Sequence, residues 1–339
     1  MDSRFSFESK IVYNSAADSN NIFFLESGFL GHIFIEDTTE VALHSILYGY
    51  SFHYQDNFRK FPITPNLWIG LGSGGYFEIS SPHDPFSNYA EVGLSMSKLD
   101  NSFKDFAFHF YQRHEQLYVN NKNQCLIPFE SSDESQVKFL LINTVVEDMG
   151  YEYFVDTLST KIIPRPENEP ERINFSYLVN CIEDKFYLTG IDETYLLSAD
   201  EEFHIIDEHS IRKIFKIDGV YYGLTYKAEQ GVKTFKMLSS YDGINWQVFA
   251  DPVREDLHLF NYKEIDGKTL AYIGDHIIHF YKTDVTIEFK EISNIGLEGN
   301  QITSISEFNG RVYVTTLSGV FIKDIEDFWK YKEDEQLED

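Results

Sequence analysis

Short apolar runs separated by polar turn residues fill this chain, and few stretches carry apolar residues at the i, i+3, i+4, i+7 spacing of a helix face. Ile11-Val12-Tyr13, Asn21 to Leu25, His32 to Ile35 and Glu40 to Leu43 predict four strands joined by Asn/Ser/Asp/Gly-rich turns. A second group is predicted at Leu67 to Leu71, Tyr76 to Ile79 and Glu91 to Leu94, after a loop holding Pro62 and Pro65. A third comprises Phe106 to Tyr111, Gln116 to Val119, Cys125 to Ile127 and Val137 to Ile142. Tyr151 to Val155 and Lys161 to Ile163 open a fourth, incomplete group that dissolves into Pro164-Arg165-Pro166-Glu167-Asn168-Glu169-Pro170-Glu171-Arg172. There proline withholds ladder donors and the charges favour solvent. We read 164–172 as a long loop between repeated units, because the same strand pattern resumes directly after it.

The second half repeats. Glu183-Asp184, Asp218-Gly219, Asp266-Gly267 and Asn309-Gly310 each precede an aromatic or β-branched strand. Asp-Gly and Asn-Gly are strong hairpin signals, since a type I′ turn needs positive φ at both central residues. A third strand follows in each module, anchored at Leu196, Leu238, Tyr281 and Phe321, which are 42, 43 and 40 residues apart. His204, Trp246, Phe289 and Trp329 come eight residues after those anchors. A period near 40 built of four short strands predicts an all-β chain folded as a single β-propeller of about seven, between six and eight, four-stranded antiparallel blades. The propeller is expected to span 1–331, with 332–339 a frayed acidic tail. An irregular sandwich is the alternative for the first half.

Within the third module, Ser240-Tyr241-Asp242-Gly243-Ile244-Asn245-Trp246 resembles the Asp-box of sialidase-type β-propellers. Asp242 and Gly243 are adjacent here and no Thr precedes Trp246; Ser198-Ala199-Asp200-Glu201-Glu202-Phe203 is a poorer copy. The resemblance implies a turn between third and fourth strands in which Ser and Asp side chains bond nearby backbone N–H groups while the Trp packs beneath. That is structural chemistry.

Charge narrows the function. With 28 Lys+Arg against 55 Asp+Glu the net charge is −27, spread along the chain. Such a polyanion disfavours nucleic acid and anionic membranes, which need cations to displace counterions, and it attracts basic proteins. The same acidity also keeps an aromatic-rich surface soluble. Cys125 and Cys181, two thiols in apolar strand contexts, suit a reducing cytoplasm, although one bridge between them stays open. Met1-Asp2-Ser3-Arg4-Phe5 has no basic and apolar signal pattern, and no apolar run is long enough for a spanning helix. The expected location is therefore cytoplasmic.

No motif for catalysis, cofactor or metal survives its context, so no residue is assigned to any of these roles. Phe58-Arg59-Lys60-Phe61-Pro62 is faintly like the Phe-Arg-x-Pro segment of sialidases but carries an extra residue, and the eight arginines are scattered. His276 and His279 fall on a predicted strand, where positions three apart face opposite sides. His109 with His114, and His204 with His209, meet the same objection. Gly70-Leu71-Gly72-Ser73-Gly74-Gly75 joins two strands with no helix following, so it is a glycine bend and not a phosphate loop. The acids Asp200-Glu201-Glu202 and Asp324 to Asp327 fall at turns, and Asn174-Phe175-Ser176 matters only in a glycosylated protein.

The expected function is a non-catalytic binding protein without cofactor, monomeric apart from its partner, whose acidic face captures a basic protein. The concrete version is an inhibitor or immunity protein that sequesters a basic toxin domain. The contacts are expected on loops at one propeller end, with aromatic anchors ringed by acids. The alternative is a carbohydrate-active propeller, a sialidase-like glycosidase or a glycan-binding module, which requires paired carboxylates or an arginine cluster.

Overall fold

The computed structural model describes residues 11–17, 21–26, 29–34, 46–47, 68–72, 76–80, 92–95, 118–122, 124–130, 136–145, 154–164, 178–190, 193–197, 203–207, 210–229, 232–283 and 286–335. Among them strands form seven sheets, and in every sheet the spatial order of strands follows the chain. The first holds Val12–Ala17, Asn21–Glu26, Phe29–Phe34 and Ile46–Leu47; the second holds Trp68–Gly72, Tyr76–Ser80 and Val92–Ser95. The third holds Tyr118–Val119, Gln124–Glu130, Gln136–Val145 and Phe154–Pro164. Leu178–Ile182, Lys185–Thr189, Thr194–Leu197 and Phe203–Asp207 make the fourth, and Ile211–Ile217, Val220–Glu229, Val232–Ser240 and Gln247–Ala250 the fifth. The sixth is Asn261–Ile265, Lys268–Ile273, His276–Lys282 and Ile287–Glu291; the seventh is Ile302–Phe308, Arg311–Thr316 and Gly319–Asp324.

The third sheet corrects the sequence reading. Tyr151 to Val155 and Lys161 to Ile163 do not open a new sheet: Phe154–Pro164 is one unbroken strand, paired residue by residue with Gln136–Val145 across a single register shift at Asn143/Thr144. Its middle, Asp156 to Thr160, has no Gly or Asn-Gly to turn the chain, and its Thr and Ser fit a strand. The expected strands at 40–43 and 106–111 lie outside the described residues, as does 165–172.

The chain divides into two compact units, 44–188 with 196–204, and 1–43 with 189–195 and 205–339. The former contains the second and third sheets. Inside it, Asn121 N donates to Glu183 O at 3.0 Å and Lys122 Nζ meets Asp184 at 2.6 Å.

The other unit contains the first three strands of the first sheet and the fifth, sixth and seventh sheets, packed face to face. Phe215 of the fifth sheet stacks on Tyr262 of the sixth at 3.9 Å, with Phe280 edge-on to both. Leu270, Tyr272 and Ile277 of the sixth meet Ile305, Val312 and Val314 of the seventh. Phe308 and Tyr313 of the seventh meet Val12, Ile22 and Phe24 of the first. Second strands such as Arg311–Thr316 are therefore buried on both faces, which is why they read as nearly continuous apolar runs.

The first and last sheets also join by hydrogen bonds. Thr303 Oγ1 donates to Val12 O at 2.6 Å, and the Ser15 hydroxyl meets those of Ser304 and Ser306 at 3.3 and 2.8 Å. A succession of up-and-down antiparallel sheets whose first and last members pack side by side is a β-propeller. Three of the opening strands carry a register shift at the same place, after Val12, Ile211 and Ile302.

Among the described residues the seventh sheet has no fourth strand. Ile325–Phe328 turns instead into a short helix, with Ile325 N donating to Gly310 O at 3.0 Å and Phe328 buried. The chain then crosses to the sixth sheet, where Tyr331 bridges Ile292 and Lys332 Nζ meets Glu291 at 2.7 Å. Residues Lys332–Glu335 form a helical turn.

Candidate interaction surface

In an antiparallel meander the turn between strands one and two and the turn between strands three and four lie at the same end. At the first of these, Asp218, Asp266 and Asn309 adopt φ of 49°, 52° and 48°, each followed by glycine at 76°, 65° and 71°. These are the two positive-φ positions that a type I′ hairpin requires. Glu183 also has positive φ, at 56°. Neighbouring sheets are tied here: Asp266 N donates to Glu307 at 2.7 Å, and Thr269 Oγ1 donates to Lys216 O at 2.6 Å.

Among the described residues, the turn after the fifth sheet's third strand is the most densely bonded at this end. One oxygen of Asp242 accepts from Ile244 N and Asn245 N, each at 2.8 Å, and from Ser240 Oγ at 2.9 Å. The other oxygen accepts from Asn245 Nδ2 at 2.7 Å, while Ser240 Oγ accepts from Gly243 N at 2.9 Å. Bonds from Asn245 and Ile244 hold the Asp242 carboxyl well below the usual carboxylate range. Trp246 closes the turn from inside. Its indole lies over Gly223 beside Ile211, leaving so little room that a Cβ on Gly223 would come within 3.1 Å of the indole and 2.6 Å of Ile211 Cγ2.

With Ser240, Asp242 and Asn245 occupied in tying the turn, Tyr241 and Ile244 are left facing solvent, 75% and 45% exposed. Val248, on the following strand, is 59% exposed. Burial chiefly raises the Tyr222 phenol, and Tyr241 and Asp218 add to the shift. This end thus presents a rigidly mounted tyrosine and isoleucine, and Asp218 and Asp266 occupy turns at the same end. Lys268 pairs with Asp266 at 3.5 Å and Arg311 with Asp324 at 3.1 Å. The sequence reading took the Ser240–Trp246 stretch as a folding device, which its hydrogen bonds match, and did not distinguish the bonded Ser240, Asp242 and Asn245 from the exposed Tyr241 and Ile244.

The remaining candidates are dispersed. His276 and His279 face opposite sides of one strand, as their spacing predicts: His276 Nδ1 meets Glu291 at 2.8 Å, and His279 Nδ1 meets Tyr331 Oη at 2.8 Å. Burial, with Lys268 and Lys290 nearby, lowers the His279 pKa against the opposing effect of Asp218. Among the described residues no group of three or more His, Cys, Asp or Glu side chains is placed to hold a metal ion. Burial and the Asp184 charge push the Cys181 thiol up to about 12, which keeps it protonated and unreactive. Asp324 and Asp327 are exposed, the latter paired with Lys330 at 2.7 Å. Gly70 and Gly72 lie in a strand that pairs with Tyr76–Ser80. Residues 58–62, 109, 114, 174–176, 198–202 and 209 lie outside the described residues. No helix among the described residues is long and apolar enough to cross a membrane.

No protein-family model matches the chain, and no curated protein is similar to it in sequence. Solved structures are similar in chain course. The β-propeller domain of the Trilobed protease from Pyrococcus furiosus has 10% identity and a TM-score of 0.49, over 96% of this chain and 98% of that one. The Pan2 WD40 domain from Neurospora crassa has 8% identity and a TM-score of 0.46, over 92% and 88%. PorZ, a surface component of the type-IX secretion system of Porphyromonas gingivalis, has 6% identity and a TM-score of 0.48 over 96% of this chain. The chain spans only 38% of PorZ's length. At such identities no activity is carried over, and the propeller assignment rests on the sheets themselves.

Proposed function

We propose that this propeller is a non-catalytic binding protein that captures a basic protein on its acidic turn face. The observation that carries the reading is Tyr241, three-quarters exposed on a turn fixed by five hydrogen bonds, at the same end of the sheet as the Asp218 turn. A rigid aromatic loses little conformational entropy on binding, and its ring faces can take a partner's guanidinium while nearby carboxylates pair with it. The net charge of −27 steers a basic partner toward the molecule from a distance. In its concrete form the protein is an inhibitor of a basic toxin domain, acting in the cytoplasm as a monomer. The Ser240–Trp246 turn is then an Asp-box-type device whose part in function is to hold Tyr241 still.

The test is affinity capture from the source organism, followed by stopped-flow association of the purified partner across a NaCl series. A basic partner whose association slows steeply with salt, and whose affinity falls at least tenfold with Tyr241→Ala, is the expected result. Salt-indifferent association, or an unaffected Tyr241→Ala variant with a native melting temperature, overturns the reading.

A further inference from the structure

The opposite end of the sixth sheet carries a second pattern. Two long loops flank that sheet there, residues 251–260 before it and 292–301 after it. Each buries one leucine and exposes one aliphatic residue two positions away. In the first, Leu257 is 7% exposed and Leu259 is 55% exposed; in the second, Leu297 is 4% and Ile295 is 62% exposed. Ile273, 36% exposed, ends the sheet's second strand between them. The register that pairs Asn261 with Tyr272 brings Phe260 level with Ile273, and Leu259 precedes Phe260 at the end of the helical turn Glu255–Leu259.

Both loops are held in place. Leu257 O accepts from Tyr262 Oη at 2.8 Å, and Val253 N donates to Phe235 O at 3.0 Å. In the second loop, Asp275 accepts from Gly299 N at 2.8 Å and Glu298 from Gly296 N at 2.7 Å; Leu297 N and Asn300 N bond within the loop. Exposure of Leu259 and Ile295 is therefore built into the fixed backbone.

Glu255 and Asp256 lie on the first loop with Leu259, Glu298 on the second with Ile295, Asp275 in the turn after Ile273, where Asn294 Nδ2 of the second loop donates to its carbonyl at 3.2 Å, and Glu291 at the end of the fourth strand. The cations Arg254 and Lys332 are already bonded to Asp256, at 3.0 Å, and to Glu291, at 2.7 Å. His276 lies between Asp275 and Glu291, at 3.5 and 2.8 Å. Exposed apolar side chains on two loops and a strand end, with acids on the same segments, fit an occupant with apolar residues along one stripe and cations beside it.

We infer that this loop end is a second docking surface, whose occupant is a basic amphipathic helix of a partner protein. Aliphatic residues at i, i+4 and i+7 of such a helix span ~10 Å, about the width of a few strands spaced ~4.8 Å apart. Lysine or arginine on its flanks meets Glu255, Asp275 and Glu298. The two ends then act independently, so that one molecule engages a basic partner at Tyr241 and a helix at Leu259, Ile273 and Ile295.

A fluorescein-labelled Leu/Lys peptide designed as an amphipathic helix, titrated against the full chain and followed by anisotropy, tests the inference. A peptide of the same composition with the apolar stripe scrambled is the control. The expected result is at least tenfold tighter binding of the patterned peptide, with that preference lost in Leu259→Ser/Ile295→Ser. These exposed substitutions leave the melting temperature within a degree or two, and Tyr241→Ala leaves the preference intact. Equal binding of the two peptides, or an unchanged preference in the double variant, overturns the inference. Loss of the preference in Tyr241→Ala instead would assign the peptide to the turn face.

Discussion

Trp246 and Gly223 form one contact seen from two sides, and both can be tested. Removing the half-buried indole leaves a cavity over Gly223, so Trp246→Ala is expected to cost about 2–3 kcal/mol, below the range for a fully buried Trp. Gly223→Ala drives a methyl group against Ile211 and the indole, and overpacking of this kind costs roughly 1–3 kcal/mol. Urea melts with an unchanged m-value measure both; native stability in Gly223→Ala would show that the contact yields. Asp242 adds a pH dependence. Its pKa is lowered in the folded chain, so the stabilisation is complete above the unfolded carboxylate value of about 4 and is lost as pH falls toward the folded one. The melting-temperature gap between wild type and Asp242→Asn should therefore be widest above about pH 4 and close on acidification. A gap that stays constant down to acid pH would separate the turn's strength from the carboxylate's charge.

At the scale of elements, the third strands, the hairpins and the Ser240–Trp246 turn were legible because each depends on residues close in sequence. Asp218-Gly219, Asp266-Gly267 and Asn309-Gly310 have positive φ as their composition predicts, and Leu196, Leu238, Tyr281 and Phe321 all lie on third strands. Strand Phe154–Pro164 was misread, since its partner lies across a loop and decides whether two apolar patches join into one strand. The end of the seventh sheet was not legible either. Trp329 keeps the eight-residue spacing from Phe321, yet Phe328 turns inward on a short helix and packs among Ile292, Leu297 and Val312. Phe328→Ala should cost about 3–5 kcal/mol, and hydrogen exchange should show residues 325–335 released before the sixth sheet. Simultaneous loss of protection in both would mean that this segment and the sixth sheet open as one unit.

At the scale of the molecule, closure between the first and last sheets is the long-range event. Phe24 and Tyr313 are far apart in sequence, and their rings lie 5.8 Å apart. A double-mutant cycle of Phe24→Leu and Tyr313→Leu should give a coupling of about 0.5–1.5 kcal/mol, whereas Phe24→Leu with Phe235→Leu, on the fifth sheet, should be additive. Additivity in the first cycle would mean that the two sheets contribute to stability separately. The acidic excess also acts at this scale, and the proposed binding depends on it: a net charge of −27 was readable from composition, whereas the exposure of Tyr241 was not.

The sequence by itself determined the class of strands, the repeating module, the turn chemistry and the sign of the charge, since each is set by local backbone preferences or by composition. Tertiary structure alone decided which side chains the turns and loops consume and which they leave exposed. Tyr241, Leu259 and Ile295 resemble their buried neighbours Tyr221, Leu257 and Leu297 in every property that composition records. What separates them is the direction in which a hydrogen-bonded backbone points each one, and those bonds bring together strands, turns and loops distant along the chain.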